Sequence, residues 1–226
     1  MDTDFKLAEH HQVNPMFITL EGPEGSGKTT QIPELAEFLH QAGHDVLTTR
    51  EPGGTPISDQ IRAILLDKEN TSMHPRTEIL LFQASRAQHV EQVIRPHLQK
   101  GGIVLCDRYA DSTMAYQGYG YGLDIEELGN IIDFATGGLK PDLILLLDVE
   151  PEIGLQRRNQ GGDINRLDAY DLTFHHRVRE GYQQLAQADP NRWVTVDADQ
   201  PPDFVQREIR KAVTTYLETV KTAPHR

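Results

Sequence analysis

Five short apolar runs, bounded by glycine, proline or acidic residues, divide the chain. Phe17–Glu21, Val46–Thr49, Ile103–Asp107, Leu143–Val149 and Trp193–Asp197 each have the length and composition of a strand. Between them the apolar positions take a helical period. Ile32, Leu35, Ala36 and Leu39 fall at i, i+3, i+4 and i+7 on one helix face, and Gly43 suits its C-terminus. Pro33 should remove a hydrogen bond or bend that helix. The pattern predicts one long helix from Thr77 to Leu98, with Pro96 disturbing its last turn, and further helices at Phe174–Ala188 and Pro202–Val220. Strands that alternate with helices predict an α/β fold in which a five-stranded parallel sheet is flanked by helices on both faces. No internal repeat or linker marks a second domain. Gln160-Gly161-Gly162 interrupts a charged helical stretch and reads as a hinge in a small lid. One domain is expected over 16–221, after a flexible N-terminal extension over 1–15 and before a tail over 222–226.

The first predicted strand runs into Gly22-Pro23-Glu24-Gly25-Ser26-Gly27-Lys28-Thr29, and a helical pattern follows. Strand, glycine loop and helix in this order are the context that gives the G-x-x-x-x-G-K-[ST] pattern its meaning. The glycines let backbone N–H groups approach a phosphate closely, and the helix N-terminus favours the anion. Lys28 should reach the β- and γ-phosphates of ATP, and the Thr29 hydroxyl should ligate Mg²⁺. A second metal-shell oxygen is expected from a carboxylate at a strand end. Asp107 is preferred for it, because Arg108 follows it; Asp148 reads more simply as a strand-end carboxylate that holds a neighbouring loop.

Charge narrows the field. The 226 residues carry 22 basic and 34 acidic side chains, a formal net charge of −12, which argues against a broad nucleic-acid surface. A few local arginines can still bind a small anion. The single cysteine, Cys106, excludes an intramolecular disulfide and a zinc-type cysteine cluster. Met1–Pro15 lacks an apolar signal-peptide core and no run approaches membrane-spanning length, so a cytoplasmic protein with no membrane partner is expected. Among the ten histidines, the adjacent pairs His10-His11 and His175-His176 lack the i, i+4 spacing of a helical metal site.

A phosphate loop alone does not separate a kinase from a switch. Two further clusters bear on that. Arg50 and Arg108 follow separate strands at the sheet edge where open α/β sheets bind ligands, and two guanidinium groups there can converge on a second phosphate. Phe82 and Arg86 lie four apart on the long helix, where a ring and a planar donor suit a nucleobase. Taken alone, the pair reads equally as a core aromatic and an arginine bound to a carboxylate.

Together these segments strongly resemble the bacterial thymidylate kinases. The resemblance is carried by Glu21 through Thr30, by Thr49-Arg50-Glu51-Pro52-Gly53-Gly54-Thr55, by Phe82 with Arg86-Ala87-Gln88, and by Asp107-Arg108-Tyr109 with Ser112 through Gly118. Downstream, Pro141-Asp142-Leu143, Leu147-Asp148-Val149 and the Arg157–Asp168 stretch fit as well. It implies a three-layer P-loop kinase fold, a homodimer, and ATP-dependent phosphorylation of dTMP to dTDP with Mg²⁺. It implies that Phe82 stacks on thymine, that Arg86 bonds the base edge, that Thr113 and Gln117 lie around the base, and that Tyr116 lies near the deoxyribose. Arg50 and Arg108 would hold the dTMP phosphate, with Glu24 reaching toward the acceptor sugar and its arginine. Thr113, Tyr116 and Gln117 fall at i, i+3 and i+4, so one helical face could present them. Some members carry an arginine in the phosphate loop. This chain has Glu24 there, which resembles the members that supply the catalytic arginine from a lid, here about 155–168 with Arg157, Arg158 and Arg166. Asn159 and Gly161 stand where two further lid arginines are expected. Two other readings stay open: a kinase for another nucleoside or nucleotide, and a nucleotide-dependent switch or assembly ATPase.

Overall fold

In the computed structural model, residues 15–161 and 166–222 are described. Strands β1 (Met16–Glu21), β2 (Val46–Arg50), β3 (Ile103–Asp107), β4 (Leu143–Asp148) and β5 (Trp193–Asp197) form one sheet in the order β2-β3-β1-β4-β5, and every pairing is parallel. From β1 the chain crosses to the outer strand β2. From β3, the neighbour of β1, it crosses back over β1 to β4. The connections therefore leave β1 and β3 in opposite directions, and a crevice opens at their carboxyl ends. The register aligns the edge: Leu20 and Arg50 both pair with Asp107, and Asp148 pairs with Asp197.

The central strands are buried on both faces, as parallel sheets require. On one face Ile18 and Leu20 pack with Leu35 and Leu39 of α1 (Lys28–Gln41) and with Val205, Ile209 and Val213 of α9 (Pro202–Thr222). On the other, Phe17 and Val104 pack with Val90, Ile94 and Tyr109. Beside them Ile144 and Leu146 pack with Phe174, Val178 and Tyr182 of α8 (Leu172–Ala188).

Several helices differ from the predicted ones. The long helix is in three pieces: α3 (Pro75–His89), a π-helical turn over Val90–Ile94, and α4 (Arg95–Gln99). Pro96 lacks an N–H and its ring clashes with the carbonyl four residues back, and the widened turn just before it accommodates both. Pro33 sits inside a continuous α1. Helices α2 (Pro56–Leu66) and α6 (Ile125–Thr136) were not singled out from the periodicity, yet both carry local start signals. Thr55 accepts from Ser58 N at 3.0 Å with proline next in sequence, and Asp124 accepts from Glu127 N at 2.9 Å. Helix α5 (Ala110–Thr113) continues as a π-helix over Met114–Gly120, not as the α-helix expected for Thr113, Tyr116 and Gln117. Gln160 and Gly161 lie within α7 (Pro151–Gly161), so the helix runs through the first two residues of the predicted hinge; Gly162 lies outside the described residues, as do 1–14, 162–165 and 223–226. A short 3₁₀ turn follows over Arg166–Ala169. Among the described residues no helix is long and apolar enough to cross a membrane.

Candidate active site

A cavity of about 730 Å³ opens at the crevice beyond the carboxyl ends of β1 and β3, within the size range of small-molecule sites. Its floor is the loop between β1 and α1. Gly22, Gly25 and Gly27 have φ of 143°, 68° and 92°, a region that side chains disfavour. A Cβ on Gly22 would lie 2.3 Å from the Leu147 carbonyl oxygen, and one on Gly25 would lie 2.0 Å from the Gly154 carbonyl oxygen. The glycines thus let the loop lie against β4 and the start of α7. Residues Glu24 through Thr30 line the cavity, whereas Gly22 and Pro23 sit behind it. Lys28 Nζ donates to Gly22 O and Pro23 O at 3.0 Å each and to Ser26 Oγ at 2.9 Å. Burial, with the neighbouring Arg108 charge, pulls its ammonium down to about 8. Thr29 Oγ1 donates to Asp107 Oδ2 at 3.2 Å. A hydroxyl and a carboxylate together beside a phosphate loop are hard oxygen donors that suit Mg²⁺. Asp148 is engaged elsewhere: Arg179 donates to it at 2.7 and 3.0 Å and Gln183 at 3.1 Å, so it ties β4 to α8.

Arg108, at the start of the β3–α5 turn, is a non-glycine residue with φ 67°, a strained backbone of the kind found at functional sites. Its Nη2 donates to Glu24 Oε1 at 2.9 Å and to Tyr116 OH at 3.1 Å. Its Nη1 donates to Gly22 O at 3.0 Å, Ser112 Oγ at 3.3 Å and Tyr182 OH at 3.1 Å. Burial would raise the Glu24 carboxyl, but Arg108 and then Lys28 outweigh it and hold it at about 2. Behind this pair lies Glu21, fully buried. It accepts from Tyr109 N at 2.7 Å, Ser112 Oγ at 2.6 Å and Tyr182 OH at 3.1 Å. Burial, then the Asp111 charge, pushes its carboxyl up to about 7. Ser112 and Tyr182 thus bind both Glu21 and Arg108, a layer that supports the guanidinium from behind. No spacing rule links Glu21 to Tyr182 along the chain.

Arg50 lines the mouth of the cavity, about half exposed, 3.4 Å from Asp59. Arg62, absent from the expected residues, lines the same mouth and donates to Pro52 O at 2.8 Å. Phe82 is half-buried and lines the cavity rather than joining an apolar core cluster. Arg86 lines it too, but its side chain is 2% exposed and donates to Glu51 Oε2 at 2.7 Å. It also donates to Gln83 Oε1 at 2.8 Å, Thr113 Oγ1 at 3.1 Å and Tyr109 O at 2.9 Å. The carboxylate-bound arginine considered from sequence is therefore present, and Glu51, the neighbour of Arg50 in one motif, supplies it. His89 bonds the other oxygen of Glu51 at 3.1 Å. Thr113, Tyr116 and Gln117 all line the cavity, from the end of α5 and the π-helix after it. A π-turn at a functional site is a recurrent association.

The three arginines expected in a lid differ in their surroundings. Arg157 lines the cavity and donates to Ala198 O at 2.8 Å and Asp199 Oδ1 at 3.2 Å, in the turn after β5. Arg158 lines the cavity and bonds Asp168 Oδ2 at 3.3 Å. Arg166 is outside the lining. It is held by Glu78 of α3, by Leu65 O at 3.0 Å and by Tyr170 OH at 3.3 Å. His175 is buried, whereas His176 bonds Glu152 at 3.1 Å at the surface. Ligand atoms of Glu150, Glu152 and His176 approach one another there, but Arg179 already pairs with Glu150.

The chain is similar to known proteins. The thymidylate kinase family model matches residues 20–209. The thymidylate kinase of Herpetosiphon aurantiacus is 50% identical over 232 residues, covering 92% of this chain and 98% of that protein. That of Deinococcus radiodurans is 52% identical over 199 residues, covering 88% and 96%. The crystal structure of thymidylate kinase from Ehrlichia chaffeensis matches with a TM-score of 0.74 at 33% identity, covering 88% of this chain and 99% of that one. With a glycine-rich phosphate loop, Arg50, Arg108, Arg86 and Phe82 lining one cavity, and with these relatives aligned over nearly their whole lengths, the chain belongs to the thymidylate kinase family.

Proposed function

We propose that this protein transfers the terminal phosphoryl group of ATP to dTMP, giving dTDP and ADP. The observation that supports the reading is that one cavity is lined both by the glycine-rich loop and by Arg50, Arg108, Phe82 and Arg86, side chains suited to a second phosphate and a base. A nucleotide-dependent switch has no need of that second set.

Phosphoryl transfer depends on positioning and charge neutralisation more than on covalent chemistry. Lys28 and the loop amides hold the ATP phosphates. Thr29 and Asp107 are the residues that would hold Mg²⁺, which when bound neutralises phosphate charge. Arg108, aimed by Glu24 and Tyr116, and Arg50 at the mouth hold the acceptor phosphate in line. Phe82 stacks on thymine, with Arg86, Thr113 and Gln117 around the base and Tyr116 toward the sugar. The acceptor is already an anion, so no general base is required.

The lid arginine that covers the transferring group is Arg158 on this reading. Arg157 and Arg158 both line the cavity, but it is the Arg158 charge that helps to lower the Glu24 carboxyl. Arg157 is tied to the β5–α9 turn and Arg166 to Glu78. A cytoplasmic homodimer accompanies the reading. The neighbouring helices α2, α3 and α6 expose Ile57, Ile64, Leu80 and Phe134, the last 91% exposed, and apolar surface of this kind marks interaction sites. Light scattering checks the dimer.

The test is a coupled assay of ADP release with ATP, Mg²⁺ and a panel of nucleoside monophosphates. ADP release that depends on acceptor and is fastest with dTMP is expected. A faster rate with UMP, CMP or a nucleoside, or a rate independent of acceptor, overturns the reading.

A further inference from the structure

Glu78 has no part in the phosphate chemistry, yet it is among the most deeply buried acids in the protein, 1% exposed. A buried carboxylate is expensive unless paired and hydrogen-bonded. This one is paired: Arg166 donates to Oε2, Tyr121 OH donates to Oε1 at 2.9 Å, and Gln117 Nε2 donates to the same Oε1 at 2.8 Å. Arg166 is itself held by Leu65 O and Tyr170 OH, so the carboxylate is fixed from α3, from the turn after α7 and from the π-helix at once.

We infer that Glu78 is a positioning residue for base selection: it commits the Gln117 amide to present its carbonyl oxygen to the base in the cavity. The inference rests on the proposed function, in which Gln117 faces a pyrimidine. A side-chain amide can turn over with little change in shape, and only its partners decide which end points where. An ionised carboxylate accepts and never donates, so the Gln117 NH₂ is the end that must face Glu78. The amide is planar, and its carbonyl is left for the cavity that Gln117 lines. A carbonyl acceptor matches a ring edge that carries an N–H. Thymine and uracil have one at N3. Cytosine has a bare lone pair at N3, which an acceptor repels. Glu78, without touching the base, thus selects dTMP and dUMP against dCMP. Arg86 is consistent with this arrangement, since Thr113 and Gln83 accept from its Nη1 and it offers donors, which cytosine O2 and thymine carbonyls accept alike.

Glu78→Gln removes the constraint, because an amide at 78 can donate or accept. The ratio of kcat/KM for dTMP to that for dCMP is expected to fall at least about tenfold, through a higher KM for dTMP with kcat changed less than about twofold. Glu78→Asp, still acceptor-only, is expected to keep more of the ratio than Glu78→Gln. If Glu78→Gln does not fold, Gln117→Leu reads the same step, and it too should lose the dTMP over dCMP preference. An unchanged ratio in a folded Glu78→Gln, or in Gln117→Leu, overturns the inference while wild-type turnover of dTMP stands. Absence of dTMP turnover in the wild type would instead sink the proposed function.

Discussion

Arg108 Nη2 and Glu24 Oε1 lie 2.9 Å apart, joining the β3–α5 turn to the phosphate loop across the floor of the cavity. The effect of this carboxylate is to aim a guanidinium from the neighbouring strand. An aimed guanidinium is worth most where geometry limits the rate. Glu24→Gln keeps the shape but removes the charge-assisted bond. It should lower kcat/KM for dTMP by about 10–100-fold, with Glu24→Asp recovering part of it. Steady-state kinetics check this, and a loss under about twofold would detach Glu24 from Arg108 alignment.

The two glutamates at the loop have opposite pH signatures. Glu24 is held at about 2, below its usual value of 4.5. A depressed acid adds stability above its unfolded pKa, and that stability drains away between about pH 4.5 and 2. Glu21 is pushed up to about 7 from 4.5. A raised acid adds stability below about pH 4.5, and that stability is lost as pH rises toward 7. Urea unfolding of the wild type should therefore give lower stability at pH 7.5 than at pH 5, and Glu21→Gln should shrink that difference. A difference unchanged by Glu21→Gln would contradict the assignment.

Arg86 carries structure as well as recognition. Its partner Glu51 is 4% exposed, so Arg86→Ala leaves a buried carboxylate that keeps its contact with His89. The stability loss should be about 3–5 kcal/mol by urea unfolding, besides weaker dTMP binding. Glu51→Gln/Arg86→Met together should recover much of it, since the pair is then removed whole. A loss below about 1 kcal/mol for Arg86→Ala would mean that the site relaxes around Glu51.

Much of this was legible in the sequence, and the rest was hidden for identifiable reasons. The strands stand out because apolar runs such as Leu143–Asp148 are buried on both faces. The phosphate loop is legible because its chemistry is local: Gly22, Lys28 and Thr29 act within one turn. The helices α2 and α6 carried cap signals at Thr55 and Asp124 that periodicity alone passed over. The π-turns were not legible. The one at Val90–Ile94 is set by Pro96 downstream, and the one at Met114–Gly120 by packing against α8. The supporting layer was hidden for another reason. Glu21 meets Tyr182 across 161 positions, and Glu78 meets Gln117 across 39; such pairs are created by the fold and have no spacing to read.

Helix α7 meets the phosphate loop through a pair of glycines, Gly25 and Gly154. A Cβ on Gly154 would lie 2.2 Å from the Glu24 carbonyl oxygen, too close for any side chain. Alanine normally stabilises a helix by about 1 kcal/mol relative to glycine, but here backbone must move. Gly154→Ala should lift α7 from the loop and lower kcat about tenfold or more, with KM for dTMP within about twofold. Arg158→Ala should act in the same sense, and more strongly than Arg157→Ala or Arg166→Ala. Equal mild effects at all three arginines would remove Arg158 from its role, and an unchanged kcat in Gly154→Ala would show that α7 height does not matter.

The most direct test of the whole account is where the terminal phosphorus of ATP goes. Phosphorus NMR of the protein with ATP, dTMP and Mg²⁺ should show the γ signal of ATP lost in step with growth of the β signal of dTDP, one for one, with no inorganic phosphate and no change when dTMP is omitted. Inorganic phosphate appearing in place of dTDP, or ATP loss without dTMP, would contradict the account.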